Sequence, residues 1–376
     1  MMDFSSIKKQ LLPLLEKAEP LRRKYRKYKA ATSLAMLLFL GSIIVLPIFM
    51  YFFNYQFTEW ARGLNEKEIW LTSLQMPMFF LIGVFYVIYA MANSQKRKYM
   101  AIEKEILETL LEKIVPTFHF DANKQIDARE IANSELLAQH NPFVKDQSLN
   151  QVYNMNQGVL SGKVGSTSIS MGNVKTVGLQ VSPYLMYIPF YAHIYMTYTY
   201  LKPWLTKEKS IDEMGSGFTG MFATMDFNKK FNGTTVVLPD QYEKRIGYMA
   251  KTLQSMNLGR DQLVNMEDTE FENEFVVYST DQTEARYILS PSLMRRITAF
   301  KKKVGSQVFM SFKNDKLYMA VQLPYGFLSL RQNQNLVTSN VLELFYEDIT
   351  TAIGIVEDLN LNTKIWKNDA SLFPKK

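Results

Sequence analysis

The 376-residue chain contains no cysteine. Its absence excludes disulfides, thiolate nucleophiles, iron–sulfur clusters and cysteine-ligated zinc, and fits a reducing compartment. Histidine is scarce. His119, His140 and His193 stand far apart, and none has an H-E-x-x-H or related spacing, so no metal site is expected. A phosphate loop is lacking too. In "GVLSGK" (158–163) the glycines are too close together, and Val164 stands where Ser or Thr is required. No cofactor is expected. Charge itself is missing from two long stretches, Ala31 to Thr58 and Ile69 to Gln95.

Each uncharged stretch exceeds the roughly 20 residues that cross a hydrocarbon core at about 1.5 Å per residue. The spacing predicts spans at about 32–53 and 70–92. Trp70, Tyr86 and Tyr89 lie near the ends of the second, where interfacial aromatics belong. Pro47 is tolerable inside a membrane helix. A pair of buried core helices is the competing reading, but charge-free runs of this length are rare in soluble folds. The first run also starts too late and is too long for a cleaved signal peptide.

The net charge of +7 suggests nucleic acid until it is located. Residues 1–98 hold 14 basic and 6 acidic side chains, and the rest of the chain holds 29 and 30. The excess lies beside the apolar runs, so it reads as topology, and no nucleic-acid partner is expected. Nine basic residues precede the first run and Lys96, Arg97 and Lys98 follow the second, whereas the connection between them has only Arg62 and Lys67. Both termini are therefore expected in the cytoplasm. Arg22, Arg23, Lys24, Arg26 and Lys27 are candidate contacts for anionic lipid. Residues 4–19 have the pattern of a short amphipathic helix, with Pro13 expected to limit its length.

Downstream, 99–116 has an apolar stripe at Ile102, Ile106, Leu110 and Ile114 and is expected to be a helical stalk packing on its own domain or on a second copy. A short helix is predicted over 126–138 with Asp127 as N-cap. Alternating runs then predict strands within 148–178 and at "FTGMFATMDF", "GTTVVLP", "FENEFVVYS", "ARYIL", "SQVFMSFK" and "KLYMAVQL", with a tight turn at "KNDK" (313–316). Helices are predicted over 242–256, 290–304 and 340–360.

The fold class that follows is α+β: a two-helix transmembrane hairpin, a helical stalk, and a cytosolic, largely antiparallel-sheet domain with flanking helices. The expected divisions are a basic N-terminal segment (1–30), the hairpin (31–95), the stalk (96–118) and the α+β domain (119–376) with a Tyr-rich insertion at about 181–201.

The stretches "GVLSGKVGSTSISMGNV", "FTGMFATMDFNKKFNGTTVVLPD", "MEDTEFENEFVVYSTDQTEARYILSPSLMRRI", "SFKNDKLYMAVQL" and "YEDITTAIGIVEDLNLNTKIW" occur in this order over about 155–366. In them the chain resembles the bacterial domain-of-unknown-function 3137 family. The resemblance implies a membrane-anchored domain and brings no activity, cofactor or catalytic residue. It points weakly to a LemA-type membrane protein as a partner. Self-association and the lipid bilayer are the other expected partners.

The insertion "VSPYLMYIPFYAHIYMTYTYL" carries no charge either. Pro183 and Pro189 interrupt it, and its six tyrosines make it less apolar than the two spans. In the resembled family this position links neighbouring strands, which a single membrane crossing would separate. Tyr184, Tyr187, Tyr191, Tyr195 and Tyr198 are therefore candidate contacts for the membrane surface or a partner, with extended structure expected after Pro189. A hairpin packed on the domain's own core is the alternative.

Three charged groups have a structural reading beside a functional one. Glu267, Asp268, Glu270, Glu272 and Glu274 suit a divalent cation or a solvated strand face. Arg295, Arg296, Lys301, Lys302 and Lys303 suit phosphate or lipid, or the outer face of a helix. Glu357 and Asp358 suit acid–base work or a helix end capped by Asn360. The expected function is an integral protein of the inner (plasma) membrane presenting a cytosolic binding or scaffold module. The alternative is an enzyme acting on a membrane-associated substrate, for which several of Glu270, Arg286, Arg295, Glu357 and Asp358 would have to gather in a pocket. A channel is disfavoured, because two spans without an intramembrane charge offer no ion path unless many copies assemble.

Overall fold

Alternation along the strands decides the architecture. Met221, Ala223 and Met225, with Leu317, Met319 and Val321, enter one hydrophobic core, while Phe222, Tyr318 and Ala320 enter a second. Successive side chains of a strand point to opposite faces, so this sheet must be covered on both sides. The computed structural model describes residues 4–60, 66–137, 157–175, 197, 201, 218–227, 232–240, 263–323, 326–331, 334–359 and 361.

Within these residues the strands are β1 (His119–Asp121), β2 (Gln157–Val164), β3 (Thr167–Lys175), β4 (Thr219–Asp226), β5 (Thr234–Pro239), β6 (Leu263–Val264), β7 (Phe275–Ser279), β8 (Val308–Lys313) and β9 (Lys316–Gln322). They form one sheet in the order β1-β2-β3-β4-β9-β8-β5-β7-β6, with each neighbouring pair antiparallel. The turn between β8 and β9 places Asn314 and Asp315 at φ 52° and 62°, as a two-residue hairpin loop of this type requires.

The helices are α1 (Phe4–Trp60), α2 (Glu66–Ile114), α3 (Ala128–Ser134), α4 (Thr269–Glu272), α5 (Gln282–Ile288), α6 (Pro291–Val304) and α7 (Val341–Asp358). The larger core takes Ile7, Leu11 and Leu15 from α1, Ile106, Leu110 and Ile114 from α2, Ile297 and Phe300 from α6, and Phe345, Ile349 and Ile355 from α7. On the opposite face Ile131 of α3 joins Leu136 and Leu137 over Phe222 and Tyr318. Each fully buried leucine or isoleucine contributes about 1.5–3 kcal/mol. The last part of α2 thus packs against the sheet.

Four local expectations are corrected. The helix expected over 4–19 is not cut short at Pro13: from Phe4 onward it is the start of α1, which runs unbroken past Pro13 and Pro20. Burial of Leu11, Leu15 and Ala18 around these prolines outweighs the backbone hydrogen bonds they remove. The run "ARYIL" lies on α5 and its C-cap Leu289, not in a strand; Asp281 caps the amides of Thr283 and Glu284, and Ala285 and Ile288 face inward. Glu270 and Glu272 do not alternate along a strand, because Asp268 accepts from Phe271 N–H and starts the single turn α4. Of the Tyr-rich insertion only Thr197 and Leu201 are described, and both are helical rather than extended. The helix expected over 242–256 lies outside the described residues.

Candidate functional site

Two features of the long helices stand apart from an ordinary core. The first is a change of surface along their length. Residues 7–18 of α1 and 99–114 of α2 bury their apolar stripe. Farther along, Leu34, Leu38 and Val45 of α1 and Phe79, Phe80 and Val87 of α2 are exposed, Leu38 to 57% and Phe80 to 71%. Ala35, Leu40 and Ala92 in the same stretches are buried, so the helices are covered on one side only. Among the described residues one helix, within Ser6–Val45 of α1, is long and apolar enough to cross a membrane by length and composition.

The second feature is a buried polar junction between the helices and the connection from β9 to α7. Glu19 of α1 accepts from Arg22 at both oxygens, Nε to Oε2 at 2.9 Å and Nη2 to Oε1 at 2.7 Å. Arg23 Nε adds a third bond at 2.8 Å and Leu336 N–H a fourth at 3.0 Å. Burial pushes the Glu19 carboxyl up, but the hydrogen bonds from Arg22, Leu336 and Arg23 prevail and bring it down to about 2. Glu103 of α2 is the counterpart. Its side chain accepts from Leu330 N–H at 2.9 Å, the one hydrogen bond it makes among the described residues. Burial therefore dominates and raises its carboxyl to about 7, against the pull of that single donor.

Tyr99 lies one helical turn before Glu103, fully buried, and its hydroxyl has no partner among the described residues. Its ring stacks on Tyr25 of α1 with centroids 6.2 Å apart. Burial and the neighbouring Glu103 raise both phenols. Arg331 in the connection pairs with Asp348 of α7 at 3.6 Å. Lys8 pairs with Glu343 at 3.1 Å, tying the start of α1 to the first turn of α7. This arrangement can fasten the connection to both long helices.

The residues singled out from sequence fall as follows. Arg22 is buried on Glu19, whereas Arg23, Lys24, Arg26 and Lys27 are exposed. Tyr184, Tyr187, Tyr191, Tyr195 and Tyr198 lie outside the described residues. The acidic and basic groups are largely each other's partners. Glu270 pairs with Lys302 and Glu274 with Lys301, while Arg295 faces Asp268 at 3.7 Å. Asp358 pairs with Lys303 at 2.8 Å, and its carbonyl accepts from Arg296 at 3.2 Å. Arg286 and Glu357 are exposed, and Asn360 lies outside the described residues. The pairings account for these charges structurally.

The junction was not foreseen. Glu19, Glu103 and the pair Leu330 and Leu336 come from three distant stretches of sequence, and the one visible signal was Glu103 on the same face as Ile106 and Leu110 of an otherwise apolar stripe.

Residues 216–361 match the family model described as Protein of unknown function (DUF3137). The match supports the resemblance over a narrower range than the motifs suggest, since β2 and β3 fall outside it. No curated protein matches the chain. Among solved structures, the crystal structure of the mycobacterial trehalose monomycolate transport factor A, TtfA, is similar at 10% identity, covering 68% of this chain and 96% of that one, with a TM-score of 0.30. A likeness of that size carries no argument here.

Proposed function

We propose that the chain is an integral protein of a bacterial inner (plasma) membrane. In this reading α1 and α2 form a membrane hairpin with spans at about 32–53 and 70–92, both termini are cytoplasmic, and the α+β domain is a binding or scaffold module. The carrying observation is the change of surface along the two helices, from residues 7–18 and 99–114 buried in the domain to large apolar side chains left uncovered beyond them. Water would penalise that second surface; hydrocarbon would not. The exposed Arg23, Lys24, Arg26 and Lys27 precede the first span, where each basic residue near anionic headgroups contributes about 1 kcal/mol.

The tyrosines of the insertion are assigned to the membrane surface or a partner. Supporting this, Lys175 and Thr219 are paired residues of adjacent strands. The chain between them leaves and rejoins the sheet at one place, and a single membrane crossing is incompatible with that pairing. A LemA-type protein or a second copy remains the proposed class of protein partner.

The test is reporter fusion in intact cells. A tag within 61–65 should be external, and tags at Lys209 and after Lys376 should be internal. An external C-terminal tag, or release of the full chain by alkaline washing without detergent, overturns the proposal.

A further inference from the structure

Among the described residues, three backbone amides of the connection between β9 and α7 donate to side chains elsewhere in the chain. Phe327 N–H donates to Asn173 Oδ1 of β3 at 2.9 Å, Leu330 N–H to Glu103 of α2 at 2.9 Å, and Leu336 N–H to Glu19 of α1 at 3.0 Å. Between the first two anchors Leu328 has φ 54° and is almost fully buried. A side chain other than glycine or asparagine in this left-handed region persists only where its surroundings hold it. Gly326, at φ 80°, leads into it; a Cβ there would meet Asn173 Oδ1 at 3.1 Å. The segment is a strained strap whose release would relax its backbone.

We propose that Glu103 is a proton-operated latch for this strap: the neutral carboxyl keeps the strap on the hairpin, and the ionised carboxylate loosens it. The two anchoring glutamates differ in how they are compensated. Glu19 has the Arg22 guanidinium on both its oxygens, with Arg23 and Leu336 besides. Glu103 has Leu330 N–H alone among the described residues. Tyr99 on its own helix and Tyr25 of α1 both feel its charge, and Glu19 and Arg22 of α1 act on Tyr99 in turn; on the strap, Arg331 pairs with Asp348 of α7. A bare carboxylate at this position is a buried charge with one donor, and taking up water at the expense of the strap stabilises it. Protonation removes that charge and leaves an oxygen for Leu330. Burial holds the proton to about pH 7, so the change falls near neutrality, where Glu19 stays ionised.

The test is amide hydrogen exchange of the full chain in lipid nanodiscs at pH 6 and pH 8, corrected for the intrinsic rate. Protection at Leu330 should fall by about tenfold, the factor that one pH unit beyond a titration midpoint produces. Protection at Leu336 should stay constant. In Glu103→Gln, Leu330 should be equally protected at both pH values. If wild-type Leu330 and Leu336 respond alike, or neither responds, the latch is overturned whatever the variant does. Equal pH responses of Leu330 in wild type and Glu103→Gln also overturn it.

Discussion

The inner and outer stretches of α1 and α2 belong to the same helices and keep opposite company. Leu11, Leu15, Leu110 and Ile114 meet side chains of the sheet and of α7 in a common core. Leu38, Val45, Phe79 and Phe80 are just as apolar and meet little of the protein. What differs is the implied solvent, and the polar junction of Glu19, Arg22, Tyr99 and Glu103 sits between the two regimes.

The largest effect should come from cutting into the inner stretch. Leu110→Ala should cost the domain about 4 kcal/mol, within the range for a buried leucine left as a cavity, while Leu38→Ala should leave its unfolding midpoint in detergent nearly unchanged. Equal losses would erase the distinction. Next, Leu38→Arg should raise the cost of membrane insertion by about 3 kcal/mol, read as the inserted fraction after in vitro translation with membranes. The same change at the exposed Glu112 should not affect insertion.

The junction yields a smaller, pH-dependent effect with two signs. Glu103 binds its proton more tightly folded than unfolded, so its contribution is full below about 4.5 and lost as pH rises through about 7. The loss is on the order of 3 kcal/mol, and Glu103→Gln should flatten that limb of a stability-versus-pH curve. Glu19 acts oppositely: its contribution is present above about 4.5 and lost as pH falls towards about 2. A curve without the first limb would remove Glu103 from the junction. The smallest effect belongs to the exposed Lys302–Glu270 pair. Lys302→Ala should shift the melting temperature too little to resolve in ordinary salt.

Much of the fold was legible because its signals are local. Period-two alternation located β4, β8 and β9, and the "KNDK" turn joined the last two. Asp127 marked the start of α3, where its side chain caps the amide of Arg129. The failures occurred where tertiary packing competes with local preference. Tyr287 and Ile288 favour strands in isolation, yet Asp281 nucleates α5 there. Pro13 breaks isolated helices, yet the core holds α1 straight through it. The acidic run around 270 and the basic run around 301 looked like separate candidate sites because sequence does not reveal that α4 and the start of β7 lie against α6. The junction was hidden for the same reason, being assembled from three distant parts of the chain.

The absence of cysteine permits a direct test of the central claim. Single cysteines replacing Leu38, Phe80 and Glu112 would be exposed to a membrane-impermeant maleimide in sealed vesicles of known orientation. The account predicts that Leu38→Cys and Phe80→Cys stay unlabelled in both orientations until detergent is added, while Glu112→Cys reacts only when the cytoplasmic face is outward. Labelling of Leu38→Cys and Phe80→Cys as fast as Glu112→Cys in sealed vesicles would contradict it.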